Sequence, residues 1–358
     1  MKAGRKLSAL VLALVAGALV AGCGGGGSSS PEAKELVLGI AGGWTENEAV
    51  SSLSKVVMER DLGYKVTTRT ADLPLVVRGV GDGKFDAFQD VWMPNNAQLL
   101  KKVRNDVEQL DPWYLGTTKF GIAVPTYAKT ADGQAVTSLD QLNRTDIEQI
   151  IGIEPGAVIM TAIPENTIPE YGLKQKLIVS STAAMLAEVG KRYKAHKPFA
   201  FIAWSPHWMN QRYRFDYLED PKKTLVNPEG DLLTEPSELT TIVRADLESE
   251  DPAAYAFLDA LELTEQEVNQ LEDAINEARD PEKGARAWLE GNRDVVQPWI
   301  GAARQAQEGW RTWTAGMAPE VLQRVAVWVG PPLHPCCTGR YHRNPLCARG
   351  WIARQDTL

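Results

Sequence analysis

Short apolar runs alternate with amphipathic segments along most of the chain. Leu36–Ile40 is an apolar run of strand length, and it breaks at Gly42-Gly43-Trp44. Thr45 and Glu48 have capping-box spacing, and Ala49, Val50, Leu53, Val56 and Val57 share one helical face. Gly63 stops that helix, and Tyr64–Thr70 alternates as a strand does. A short helix through Leu75, Val76 and Val80 follows, then the turn Gly81-Asp-Gly83 and the run Phe85–Phe88. This βαβαβ rhythm predicts a mostly parallel sheet with helices on both faces.

The rhythm then repeats. Phe120–Val124 reads as a strand that crosses over, and Ser138 and Gln141 cap a short helix. Ile150–Ile153 is a buried strand running into Glu154-Pro-Gly, with a helix through Tyr171 after it. The strand Leu177–Val179, a helix over 183–193 and the strand Phe199–Ala203 follow, the last delivering Trp204. After Asp220-Pro221 the chain passes through a polar loop and returns at Thr240–Val243. Asp251-Pro252, the box Thr264/Glu267 and Asp280-Pro281 then open three amphipathic helices, expected to pack back on the first half. Two α/β lobes joined by two crossover strands are predicted: 36–123 plus 240–305, and 124–239.

The ends differ from this body. Lys2, Arg5 and Lys6 precede an apolar stretch, Leu7–Val20, too short for a comfortable span. Val20-Ala-Gly-Cys23 has the pattern of a bacterial lipoprotein signal, so 1–22 is expected to be removed and Cys23 acylated. The Gly/Ser run within 23–35 then reads as a tether to the outer face of the cytoplasmic membrane. From Val321 to Gln355 there is no Asp or Glu, whereas arginines and three of the four cysteines gather there. The spacing of His334, Cys336, Cys337, His342 and Cys347 fits no standard zinc pattern. Residues 306–358 are expected to be an atypical, disordered extension. Between Cys23 and Cys336 there is no cysteine, so the body has neither disulfides nor a redox motif. A net charge of -8 argues against nucleic acid as a partner.

Candidate chemistry lies where strand-like runs break. Trp44, Trp92 and Trp204 each stand at such a point, and ligands of open α/β sheets bind at the carboxyl ends of strands. Three converging indoles would make a box for a cation that has no N–H to donate. Taken one at a time, each tryptophan reads as core or interface packing. The segments around them carry more information. Trp44-Thr-Glu-Asn-Glu-Ala-Val50, Gly81-Asp-Gly-Lys-Phe-Asp-Ala-Phe-Gln-Asp-Val-Trp-Met-Pro94, Ile151-Gly-Ile-Glu-Pro-Gly-Ala-Val-Ile-Met160 and Trp204-Ser-Pro-His-Trp-Met209 occur in order. With Asp220-Pro-Lys-Lys223 and Asn292-Arg-Asp-Val-Val-Gln-Pro-Trp299, they resemble the glycine betaine/proline betaine substrate-binding lipoproteins of ABC importers.

The resemblance implies a two-lobed periplasmic-binding-protein-like fold of type II. It implies that Trp44, Trp92 and Trp204 enclose a quaternary ammonium group, and that the Val158 and Ile159 amides hold the ligand carboxylate. Relatives often place a histidine donor after the tryptophan matched by Trp92; here Asn95 and Asn96 stand instead, and either side chain is a candidate replacement. His207 is a further candidate contact, although a turn role is the stronger reading. Trp208 is expected to pack, Trp113 and Tyr114 to shield the cleft or pack, and Asp86 and Asp90 to be structural residues at a sheet edge. The implied partners are a betaine and a permease with its cytoplasmic ATPase, with a monomeric protein and no cofactor or metal. An exported enzyme acting on a choline-like substrate is disfavoured, since no activated nucleophile, metal cluster or cofactor loop is evident. A sensor built on the same lobes is the third alternative.

Overall fold

The computed structural model describes residues 33–315. The segments expected to be a signal peptide and a tether from Cys23, up to residue 32, and the expected extension from residue 316 onward, lie outside the described residues.

Strand β1 (Glu35–Ala41) leads into helix α1 (Thr45–Asp61), β2 (Lys65–Ala71), α2 (Leu73–Gly81), β3 (Ala87–Met93), α3 (Ala97–Lys101) and β4 (Val107–Pro112). β1 lies between β2 and β3 with both pairings parallel. The polar alternation of β4, Val-Glu-Gln-Leu-Asp-Pro, suits an edge and carries no apolar run, which is why the sequence pattern passes over it.

The chain then crosses to a second sheet. β5 (Lys119–Pro125) pairs antiparallel with both β8 and β9, so its first residues, assigned above to the first lobe, belong to the second. The crossing is made in the loop just before it. After β5 come a 3-10 turn over Leu139–Arg144 and β6 (Gln149–Ile151). A helical stretch opens as α4 (Ile159–Ala162), widens through a π turn and closes as α5 (Ile168–Tyr171). Next are β7 (Lys176–Ile178), α6 (Thr182–Lys194), β8 (Ala200–Ser205), α7 (Met209–Arg212) and β9 (Phe215–Tyr217). The predicted capping box of Ser138 and Gln141 is present.

The return strand β10 (Glu238–Arg244) inserts antiparallel between β3 and β4. The sheets therefore run β2-β1-β3-β10-β4 and β7-β6-β8-β5-β9. Each holds four strands of one sense and a single opposed strand, β10 or β5.

Five helices close the first lobe: α8 (Leu247–Glu250), α9 (Pro252–Asp259), α10 (Glu265–Ala278), α11 (Pro281–Gly291) and α12 (Arg293–Ala315). Asp251, Thr264 and Asp280 cap α9, α10 and α11 as their sequence signals require. α10 and α11 pack on the buried Leu53–Val57 face of α1. α11 approaches α10 so closely that a Cβ on Gly284 would stand 2.3 Å from the Ile275 Cα. α12 buries Val296, Trp299, Ile300 and Ala303 and runs on to Ala315. Its last turns enter the segment expected to be disordered from 306; a helix already nucleated by that buried face propagates at little cost through Ala, Gln and Glu.

Candidate functional site

Three strand ends build the site. Gly43, at φ 87°, turns the chain out of β1, where a Cβ would meet Glu154 and Thr182 of the second lobe at 2.8 Å. Trp44 comes next, its N–H donating to the Ala41 carbonyl at 3.2 Å, and the buried Asn47 side chain accepts from the Ala41 N–H at 2.8 Å. Trp44 itself is the N-cap of α1. The Thr45/Glu48 box does not form, because the helix starts one residue too early and the Thr45 hydroxyl donates to Glu272 at 2.7 Å instead.

Trp92 stands near the end of β3, where its backbone N–H donates to Asn96 Oδ1 at 2.9 Å and its indole N–H to Asp90 Oδ1 at 3.1 Å. Trp204, near the end of β8, is in register with Phe120 on β5. Trp92 from the first lobe and Phe120 from the second face each other at 5.9 Å between ring centroids. Trp44, Trp92, Trp204 and Phe120, with Glu46, Asn95, Asn96, Ile153, Ala157 and Val158, line one small pocket. About 20 Å³ of it is open to the centre of a water molecule. Taken as a sphere and widened by the water radius, that is a radius of about 3 Å, the scale of a trimethylammonium group.

The polar side of the pocket is sparse. The N–H groups of Val158 and Ile159 precede the first α4 hydrogen bonds and donate to no oxygen among the described residues. Asn95 is 3% exposed, and neither its amide oxygen nor its nitrogen has a partner. Asn96 is differently placed: its oxygen accepts from Trp92 and pins the turn. Asn95 thus has its whole carboxamide uncommitted, whereas Asn96 commits its oxygen to Trp92.

His207 does not line the pocket. It is fully buried behind Trp204, ring edge to face at 4.8 Å, and its Nδ1 accepts from the Met209 N–H at 3.0 Å. Burial pushes its pKa down to about 3, so the imidazole is neutral and supports the turn. Trp208 is also outside the pocket, half-buried with the Arg212 guanidinium 5.7 Å from its ring. Trp113 is wholly buried and stacks edge-on against Tyr114, so it packs and does not shield the cleft. Asp86 is structural, accepting from Val37 N–H and Arg244 at 2.7 Å each. Asp90 is not at a sheet edge: β3 is the central strand, and the side chain is fully buried.

Sequence reasoning missed Phe120 and Glu46. Phe120 looked like an ordinary strand residue; only its register with Trp204 brings it to the box. Glu46 sits inside the first quoted motif, and a carboxylate two residues after Trp44 was the available signal.

The lobes are closed on each other. Asn227 of the second lobe donates to the Pro94 carbonyl of the first at 3.1 Å, and Lys101 pairs with Glu229 at 2.8 Å across the same rim. Chemically the site offers four aromatic faces, two free amides and one free carboxamide in a nearly dry space. It presents no nucleophile paired with a base.

Residues 34–291 match the family model for the substrate binding domain of the ABC-type glycine betaine transport system. A glycine betaine/carnitine transport binding protein of Listeria monocytogenes serotype 1/2a (strain 10403S), GbuC, is 35% identical over 163 residues, 45% of this chain. That match spans only half, 50%, of the Listeria protein's length. The crystal structure of lactococcal OpuAC, closed around glycine betaine, is 30% identical with a TM-score of 0.65, covering 75% of this chain and 99% of that one. An ABC-transporter choline-binding protein, unliganded and semi-closed, is 27% identical with a TM-score of 0.62, over 74% of this chain and 91% of its own. The fold is the type II periplasmic-binding-protein-like arrangement of these structures. With the family model spanning most of its length, the chain belongs to the substrate-binding domain family of ABC-type glycine betaine transport systems.

Proposed function

We propose that this protein is the extracytoplasmic component of an ABC importer that captures glycine betaine, or a related quaternary ammonium carboxylate, and delivers it to a permease. The observation that carries the reading is the closed pocket of Trp44, Trp92, Trp204 and Phe120. A trimethylammonium group has a fixed charge and no donor, so aromatic faces suit it, each contributing about 0.5–2 kcal/mol when desolvated. Primary amines are rejected because they would lose hydrogen bonds to water on entry.

In this reading the Val158 and Ile159 amides and the Asn95 carboxamide receive the ligand carboxylate, with Asn96 holding the turn that aims Trp92. Lipid anchoring at Cys23 on the outer face of the cytoplasmic membrane, and handover to a permease with a cytoplasmic ATPase, complete the proposal. A ligand touching both lobes stabilises the closed state by its differential affinity for it. Titration calorimetry with glycine betaine, proline betaine, carnitine and choline tests the assignment. Betaines binding more tightly than choline are expected; choline binding equally well removes the carboxylate half.

One observation favours choline as a second reading. Glu46 puts a buried carboxyl into the pocket, and its ionised form can accept from the choline hydroxyl.

A further inference from the structure

The wall of the aromatic pocket carries one acidic residue, Glu46, backed by two more that no lysine or arginine among the described residues pairs with. Glu46, on the first turn of α1, lines the pocket and is 1% exposed; neither oxygen makes a hydrogen bond of full geometry, although the Trp204 indole N–H approaches closely enough to ease its ionisation. Behind it stand Asp90 at the centre of β3 and Glu272 on α10, 0% and 2% exposed. One oxygen of Asp90 accepts from the Trp92 indole at 3.1 Å, and one oxygen of Glu272 accepts from Thr45 at 2.7 Å. The second oxygen of each makes no hydrogen bond of full geometry, although the Trp208 backbone N–H lies close enough to Glu272 to favour its ionised form.

The remaining titratable groups nearby do not compensate. Asp273 neighbours Glu272 on α10, Glu48 follows on α1, the Tyr114 hydroxyl feels the charges of Glu265 and Glu272, and neutral His207 lies behind Trp204. The cations of the α1–α11 contact, Lys55 and Arg286, pair with Glu59 and Glu282. Among the described residues no lysine or arginine pairs with Glu46, Asp90 or Glu272, and no three His, Cys, Asp or Glu are arranged to hold a metal.

We propose that capture of a quaternary ammonium ion releases a proton from the Glu46–Asp90–Glu272 cluster, so that affinity rises with pH. This rests on the aromatic-pocket reading above. Three bare carboxylates in a dry site repel and lack solvent, so protons are retained there when the pocket is empty. Burial first, then the charges of Asp90 and Glu272, hold the Glu46 carboxyl well above its usual range. Burial likewise raises Asp90, and pushes Glu272 up to about 8. A cation against the box rings then stands beside Glu46, and an opposite charge at such range favours the ionised form. The O–H bond of one carboxyl breaks, its electron pair stays on oxygen, and the proton goes to solvent. The ligand nitrogen has no proton to give or take.

Choline and glycine betaine do not titrate between about pH 5.5 and 8.5, so any proton exchanged on binding belongs to the protein. Calorimetry of both ligands in phosphate and in Tris, across that range, reads the exchange directly. The expected result is a buffer-dependent enthalpy showing proton release and an affinity that rises by up to about tenfold per pH unit. In Glu46→Gln the slope should shrink, and in Glu272→Gln, which lies outside the pocket lining, it should shrink as well. Buffer-independent enthalpy with flat affinity in the wild type overturns the proton linkage and leaves the pocket reading standing. If neither ligand binds at any pH, the pocket reading itself fails.

Discussion

Phe120 gives the most searching mutational test, because its role in the pocket comes from the structure and not from the tryptophan motifs. The ring is half-buried, in register with Trp204 and 5.9 Å from Trp92 across the lobes. Phe120→Ala removes one aromatic wall and leaves the other three. One desolvated cation–π face contributes about 0.5–2 kcal/mol, and lost apolar contact with the ligand methyls adds to it. A loss of about 1–2 kcal/mol is expected, or roughly 5–30-fold in Kd. Phe120→Tyr keeps the face and should stay within about threefold. Since the ring is only partly in the core, the stability cost of Phe120→Ala should fall below the about 3–5 kcal/mol of a fully buried phenylalanine. Glycine betaine calorimetry paired with melting curves separates the two effects. Affinity within about twofold of wild type in Phe120→Ala, together with a lowered melting temperature, would make the ring a packing residue and refute the four-walled pocket.

Three further outcomes follow from the same geometry. Trp208→Ala should lower the melting temperature and leave glycine betaine affinity within about twofold, because the ring packs against Arg212 outside the pocket; a loss of binding without loss of stability would move the box by one turn of chain. Asn95→Ala should weaken betaine binding by about 1–2 kcal/mol without destabilising the fold, since its amide has no protein partner to lose, whereas Asn96→Ala should destabilise; calorimetry and denaturant unfolding distinguish them. Finally, the ligand-free protein should lose stability as pH rises. Glu272 is held at about 8 when folded against an ordinary 4.5, so over that window the unfolded chain ionises while the folded one keeps its proton. The slope is up to about 1.4 kcal/mol per pH unit, and Glu272→Gln should flatten it; melting curves that rise over the window contradict the assignment.

Much of the fold was legible because local signals agreed with tertiary need. Ser138/Gln141 and Thr264/Glu267 form their boxes, and Asp251 and Asp280 cap their helices, since each sits where an amphipathic run begins. The Thr45/Glu48 pair failed for a tertiary reason: Glu272, brought from α10, takes the threonine hydroxyl. β4 and β9 were missed because one is polar and the other only three residues long. Strand-end tryptophans were recognisable as pocket-lining residues because the sheet topology sends such ends to the cleft. Glu46 and Phe120 were not, since their chemistry depends on partners over 40 and over 80 positions away, Asp90 and Trp204. Local pattern cannot supply such pairings.

The central claim is that the pocket reads positive charge without a hydrogen-bond donor. Glycine betaine and 3,3-dimethylbutanoate share shape and carboxylate, and differ in having nitrogen or carbon at the branching atom. Competition calorimetry of the two against the purified protein isolates the charge. With four aromatic faces each contributing about 0.5–2 kcal/mol, the neutral-headed analogue should bind at least about thirtyfold more weakly. Equal affinity for the two would show that shape alone fills the pocket and would contradict the cation box.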